Sequence, residues 1–451
     1  MNLEMIDPAW AWQPFEPDAG NPWDTAAAAH LFRRAGFGAN RKQIDAALQR
    51  SPADVVADLV AGSEPADYRK QLDALIRAGL ASGSVSQLAA QWVYRMVSTP
   101  APLLEKTTLF WHGHFATSAE KVEEADLMQR QNDLLRQHAL GDFAALVQGI
   151  SRDAAMLIYL DSATNRKAHP NENYAREIME LFCLGEGNYT ETDIRELARC
   201  FTGWEIKRNK FRFNRYQHDF GKKSFLDSSG EFSGEQGVEI VLAQDAVPRF
   251  IASKLIRYFV ADEPAPTKAL IEPLAKELRD NELHVAPTLQ RILGSNLFFT
   301  HARARKIKSP IDVAVGLLRG LEGSTNNYEI AGGCRKLGLG LYFPPSVKGW
   351  DGGRTWINSS TLLGRANLIR QVLDSDKTRF GRKSLAEYLE SQDVQTTEQL
   401  VEWIEPLLFA VPISPDAKRQ VAALDSTGAN RDKSLKDALH VLCSLPEFQL
   451  A

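Results

Sequence analysis

Apolar residues recur at helical spacing along most of this chain, and that period restricts it to a mainly helical architecture. The spacing predicts helices over Arg41 to Gln49, Ala53 to Val60, Tyr68 to Leu80, Gln87 to Val97, Leu103 to His112 and Glu123 to Leu140. Further helices are expected at Phe143 to Arg152, Asn173 to Leu184, Glu191 to Phe201, Pro248 to Val260, Thr267 to Asn281 and Val285 to Leu293. Thr190 followed by Asp193 is a capping-box pattern ahead of the apolar face Ile194, Leu197, Ala198 and Phe201, and Gly203 suits the position beyond that helix. Two stretches break the rhythm. From Trp204 to Ile240, aromatic and charged residues alternate in KFRFNRYQ between Gly/Ser clusters, the pattern of a small hairpin or ribbon. From Gly338 to Asn358, GLGLYFPPSVKGWDGGRTWIN is rich in Gly, Pro and aromatic residues and precedes a helix expected to start at Ser359 or Ser360.

The expected fold is therefore mainly α: a large multi-helical domain with a small β-ribbon insertion and a helical C-terminal region. Its segments are an N-terminal extension (1–29), a helical core with H-x-H and carboxylate motifs (30–204), the ribbon (205–245), a helical region with the Gly/Trp loop (246–375) and the C-terminal helices (376–451). Pro412 and Pro415 punctuate the last of these, with a polar loop near Ser426 to Asp432.

With 451 residues, 44% of them hydrophobic and 24% charged, the chain can bury a sizeable core. Its 53 Lys and Arg nearly balance 57 Asp and Glu, so no global field marks an obligate nucleic-acid or membrane-surface binder, and an anionic partner must be met by a local patch. Cys183, Cys200, Cys334 and Cys443 are far apart, which excludes a zinc ribbon or C-x-x-C redox pair and predicts buried, reduced thiols. Glu4, Asp7, Pro8 and Pro14 occupy the N-terminal stretch where a secretory signal needs a basic start and an apolar run, so the expected location is cytoplasmic. No apolar run approaches the roughly 20 residues of a membrane span.

Four motifs carry candidate chemistry. In HPNENYAREIMELFCLGEGNY, helical spacing sets Asn173, Glu177 and Glu180 on one face, and paired carboxylates one turn apart suit a divalent metal or an acid/base pair. The structural alternative is a salt-bridge network with Arg176, Arg195 and Arg199. His112 and His114 form an H-x-H pair in FWHGHF, readable as metal ligands or as hydrogen-bonded core histidines, with Glu105 placed to orient His112. His218 and Asp219 adjoin in a ribbon whose Arg215 and Lys222 lie among further cations and aromatics, a pattern for binding an anionic polymer or simply a solvated hairpin. Gly349 to Asn358 can bring backbone amides and the indoles of Trp350 and Trp356 to a ligand, or wedge those indoles into the core. No Walker loop, dinucleotide fingerprint, G-x-S-x-G elbow or H-E-x-x-H motif occurs.

The ordered motifs AAHLFRRAGFG, FWHGHFATS, SRDAAMLIYLD, PNENYAREIMELFCLGEGNYTETDIRELARCFTGW, HDFGKKSFL, KSPIDVAVGLLRGL and PPSVKGWDGG resemble the bacterial family called domain of unknown function 1800, from about His30 to the final SLPEFQLA. The resemblance implies a largely helical protein and names no reaction. It also implies a partner or shared pathway with the domain of unknown function 1501 family, which is similar to sulfatases and alkaline phosphatases and whose genes often lie alongside. Many relatives look exported, which makes the periplasm the alternative location.

The expected function is a metal-dependent hydrolase acting on an anionic or carbohydrate-like substrate. His112, His114, Glu177 and Glu180 would ligate Zn²⁺, Mn²⁺ or Fe²⁺; Glu177, Glu180, His218 and Asp219 would serve in catalysis; and Asn173, Arg176, Arg199, Arg215, Lys222, Trp350 and Trp356 would hold substrate. The alternatives are a metal-free, carboxylate-dependent polysaccharide-active enzyme and a non-catalytic accessory protein of a sulfatase-like partner. Nucleic acid is the least supported partner.

Overall fold

The computed structural model describes residues 5–424 and 431–451. Among them, 25 helices account for 62% of the structure, and the strands form small two-stranded antiparallel sheets. Local chemistry explains many helix starts. Asn40 and Gln43 cap Arg41–Leu48 reciprocally, Ser51 caps Pro52–Ala61 with Pro at its first position, and Ser84 caps Val85–Ser98. The Thr190–Asp193 box caps Glu191–Cys200 as its sequence predicts, Gly203 beyond it has φ +82°, and Asn358 starts Ser359–Asp374. The helix expected over Glu123 to Leu140 runs as Ala125–Gln137, and Glu123, at a left-handed φ of 60°, separates it from the short helix Ala119–Val122.

The ribbon is two hairpins. Trp204–Lys207 pairs with Lys210–Phe213 in the register Trp204↔Phe213 and Lys207↔Lys210, its turn made by Arg208 and Asn209 at φ 54° and 57°. Lys223–Phe225 pairs with Ser228–Gly230. The expected extent of the irregular stretch is corrected at its far end, where Gly234–Leu242 is a helix with a Ser233–Gln236 capping box. Its glycines read as loop residues in the sequence, but they serve close packing. A Cβ on Gly234 would lie 2.1 Å from the Trp204 ring, and one on Gly237 would lie 2.9 Å from Leu197. Part of the polar loop expected at Ser426 to Asp432 lies outside the described residues, and the helix Arg431–Ser444 begins within its span.

Three apolar clusters run across the expected segments. One joins Trp12 and Phe15 to Phe143, Phe182, Trp204, Phe259 and Phe298. A second joins Ala28 and Ile44 to Val313, Leu389, Ile404 and Leu439, and the third gathers Phe37, Trp92, Leu127, Ile311, Tyr342 and Trp356. The first residues are tied in by Trp12, whose indole N–H donates to the Leu270 carbonyl at 2.9 Å, and by Phe15 stacked on Phe299 at 4.4 Å. The helix Pro102–His114 is buried on nearly every side and carries the H-x-H pair at its end. All four cysteines are free and buried. Among the described residues, no helix is long and apolar enough to cross a membrane.

Candidate functional site

A cavity of about 490 Å³ opens where the end of Pro102–His114, the helix Ala246–Phe259 and the Gly/Trp loop meet. Three features of the loop fix that meeting. Gly349, Gly352 and Gly353 have φ of 75°, 72° and 55°, in the region that favours glycine. Gly349 lies so close to the H-x-H helix that a Cβ there would come within 2.1 Å of the Gly113 carbonyl oxygen. Trp350 then covers Gly113 and sets its ring 5.5 Å from that of His112.

The carboxylate-bearing helix contributes through its backbone. Asn173–Glu177 continues into a π-helical turn, Ile178–Cys183, and the carbonyls near its end need donors from outside. Two side chains that line the cavity supply them: His114 Nε2 lies 3.0 Å from the Phe182 oxygen, and Lys254 Nζ lies 3.4 Å from that of Leu181. A nitrogen facing a carbonyl must carry the proton, so His114 is the Nε2–H tautomer and its Nδ1 offers a lone pair. Nδ1 is buried and has no partner, and the same holds for the indole Nε1–H of Trp350. Two residues of the cavity wall thus hold a buried acceptor and a buried donor without partners.

Eight Lys and Arg line the cavity against four Asp and Glu. Lys106 pairs with Asp312, Lys306 with Asp262, and Arg354 with Glu263 at 3.0 Å. Arg34 is consumed by backbone, donating to the carbonyls of Phe259, Val260, Ala302 and Ala451. Lys254, Arg257 and Lys348 form no ion pair among the described residues, although all three line the cavity. Burial foremost, then Arg257, pushes the Lys254 ammonium down to about 8, and its Nζ stands 4.7 Å from the Phe250 ring centre. Burial and the neighbouring Lys254 hold the His114 imidazolium well below its ordinary range, so the ring is neutral at pH 7.

The structure places the residues singled out in the sequence as follows. His114, Trp350 and Trp356 line the cavity. His112 is committed to the core: its Nε2 accepts the Tyr342 N–H at 3.0 Å, its ring meets Trp92 edge-on at 5.2 Å, and burial pushes it down to about 3. Glu105 does not orient it. Fully buried, Glu105 binds Arg136 at 2.6 Å, Arg95 at 2.8 Å and the Trp92 indole N–H at 2.8 Å. Glu180 accepts from the Tyr189 hydroxyl at 3.3 Å, and Arg176 pairs with Glu191 and Glu172 rather than with Glu180. Glu177 is half-buried, and burial and then Glu180 raise its affinity for a proton. Lys348, on the cavity rim, opposes that rise. Asn173 donates to the Leu160 carbonyl at 3.4 Å.

His218 and Asp219 go separate ways. His218 Nδ1 donates to the Thr202 carbonyl at 2.8 Å, whereas Asp219 is gripped by Arg199 at 2.7 Å and held below the usual carboxylate range. Arg215 and Lys222 are exposed on the ribbon. Among the described residues, no group of three or more His, Cys, Asp and Glu is gathered as a metal ion requires. His112, His114, Glu177 and Glu180 do not fit a shared divalent metal, because both Nε2 atoms face backbone partners and the carboxylates lie on another helix.

Lys254, Arg257 and Lys348 were missed as a set. Lys348 sits in a quoted motif, PPSVKGWDGG, but nothing in the helical pattern around Lys254 separates a cavity cation from a solvated one. A family model described as Protein of unknown function (DUF1800) matches residues 30–450. No curated protein and no solved structure matches the chain. With the match covering more than nine-tenths of its length, the chain belongs to the DUF1800 family.

Proposed function

We propose that this protein binds an anionic, carbohydrate-like ligand in the cavity beside His114. The observation that supports it most is the joint presence, on one aromatic-walled cavity, of Lys254, Arg257 and Lys348, which form no ion pair among the described residues, and of two buried polar atoms without partners. Lys254, Arg257 and Lys348 would hold the negative group, and the Trp350 N–H would donate to an oxygen. His114 Nδ1 would accept from a hydroxyl, a role suited to a ring whose low proton affinity makes it a poor general base. The indoles of Trp350 and Trp356 offer flat apolar surface to a sugar ring. A protein of this kind would deliver or retain substrate for a sulfatase-like partner.

The second reading is hydrolysis of the same ligand without a metal. One observation favours it: Glu177, whose proton affinity burial and Glu180 raise, lies within electrostatic reach of the cavity-lining Lys348 and would act as the acid/base group that His114 cannot. Glu177→Gln should then abolish turnover while leaving binding intact.

Titration calorimetry with a hexose 6-phosphate and with galacturonate tests the binding. Lys254→Met should weaken affinity tenfold or more, about 1.4 kcal/mol. Its thermal midpoint should change little, since removing a buried cation that lacks a carboxylate partner offsets the loss of its long contact to the Leu181 carbonyl. Wild-type affinity should decline as the pH passes about 8, where the Lys254 ammonium discharges. Equal affinity of variant and wild type would remove the assignment.

A further inference from the structure

The ribbon binds nothing in the cavity, yet it is the most cationic stretch of a chain whose net charge is −4. Between Glu205 and Lys223 there are seven Lys and Arg and two carboxylates, and both carboxylates are already engaged: Glu205 with Arg166 and Arg212, Asp219 with Arg199. Lys207, Arg208, Lys210, Arg215 and Lys222 are exposed and form no ion pair among the described residues. Three aromatic rings stand out among them, Phe213 at 46%, Tyr216 at 79% and Phe220 at 57% exposure. Only nine large apolar side chains are exposed to this degree among the described residues, so three within eight positions form a patch rather than scatter.

The patch is built. His218 is buried beneath it, its ring 5.2 Å from Phe213 and 4.7 Å from Phe220, so the two phenyl rings flank one imidazole as a continuous strip. The Thr202 carbonyl anchors His218, and the Asn214 side chain ties the turn below Tyr216 by accepting its N–H at 3.2 Å. The Lys167 N–H donates to the Gln217 carbonyl at 2.9 Å, which brings another exposed cation to the edge. The rings are therefore held out by the fold, with the exposed Arg215 and Lys222 next to them in the chain, while the hairpin register sets Lys207 and Lys210 on the face opposite Phe213.

We infer that the ribbon is a docking surface for an anionic polysaccharide, whose sugar faces stack on Phe213, Tyr216 and Phe220 while its carboxylates or sulfates meet Arg215 and Lys222. Charge complementarity selects a polyanion. The choice of polysaccharide rests on the cavity reading, because the cavity offers the same pairing of cations and aromatic rings to a single unit of such a polymer.

The experiment is fluorescence anisotropy of a labelled polygalacturonate and of a sulfated oligosaccharide with the full chain, alongside calorimetry with hexose 6-phosphate. The triple variant Phe213→Ala, Tyr216→Ala, Phe220→Ala should weaken polymer binding tenfold or more and leave hexose 6-phosphate binding unchanged. Charge reversal at Arg215→Glu and Lys222→Glu gives a second test, independent of the rings, with the same expected loss. Lys254→Met should weaken the small ligand far more than the polymer. Polymer binding that is absent in the wild type, or undiminished in both ribbon variants, overturns the inference while leaving the cavity reading intact. Tighter binding of single-stranded DNA of matched length than of either polysaccharide also overturns it. Absence of hexose 6-phosphate binding in the wild type, with the polymer still held by the ribbon, overturns the cavity reading instead.

Discussion

Glu105 shows how much a single buried charge organises. It lies between two helices, answers Arg95 and Arg136, and holds the Trp92 indole against His112. Burial pushes its carboxyl up, but the two guanidinium groups and their hydrogen bonds more than reverse this and hold it below the usual range. A carboxyl whose folded value is depressed lends stability that is full above its unfolded value, near 4.3, and is lost as the pH falls through the folded one. Urea unfolding from pH 7 to pH 3 should therefore show a steeper acid loss in wild type than in Glu105→Gln. At pH 7 that variant should be less stable by about 3 kcal/mol, since it leaves buried guanidinium groups short of charge. The sequence placed Glu105 correctly on the His112 helix but not its partners. Arg136 lies 31 positions away on another helix, and helical spacing reports only neighbours three or four positions apart. The same limit hid the pairing of His114 with Lys254 through one helix end.

At the level of elements, capping chemistry was readable because it is local. The Thr190–Asp193 box, the stop at Gly203 and the start near Ser359 each depend on a few consecutive residues. The Gly234–Leu242 helix escaped because its glycines fit against Trp204 and Leu197, residues distant in sequence, and glycine alone signals a loop. The Gly/Trp loop was recognised as more than a linker, but its seat against Gly113 was not. That seat is testable. Gly349→Ala must combine a positive φ with a Cβ placed 2.1 Å from the Gly113 oxygen, so it should cost about 2–4 kcal/mol. If the loop forms the cavity wall, the same variant should lose hexose 6-phosphate binding at temperatures where circular dichroism shows its helices intact.

For the whole molecule, the helical class followed from periodicity, and the apolar clusters explain why the linear segments are interdependent. The C-terminal helices complete the second cluster with Ala28 and Ile44, and they also supply acceptors to buried cations. Arg33 donates to the Leu407 carbonyl at 2.9 Å, and Lys308 donates to that of Leu408 at 2.9 Å while lying 3.8 Å from the Phe448 ring centre. Truncation after Asp374 would remove the acceptors of both cations and expose the rest of the second apolar cluster to water. The truncated chain should show no cooperative thermal transition by calorimetry, where the full chain does.

The end of the π-helical turn carries a consequence of its own. Leu184 and Gly185 both donate their N–H to the Met179 carbonyl, at 2.9 and 3.0 Å, and two of the four carbonyls between, those of Leu181 and Phe182, hold Lys254 and His114. The cation and the acceptor thus hang from one hinge pin. If that turn loosens, both lose their bearings together, so a filled cavity and a closed turn favour each other in equal measure.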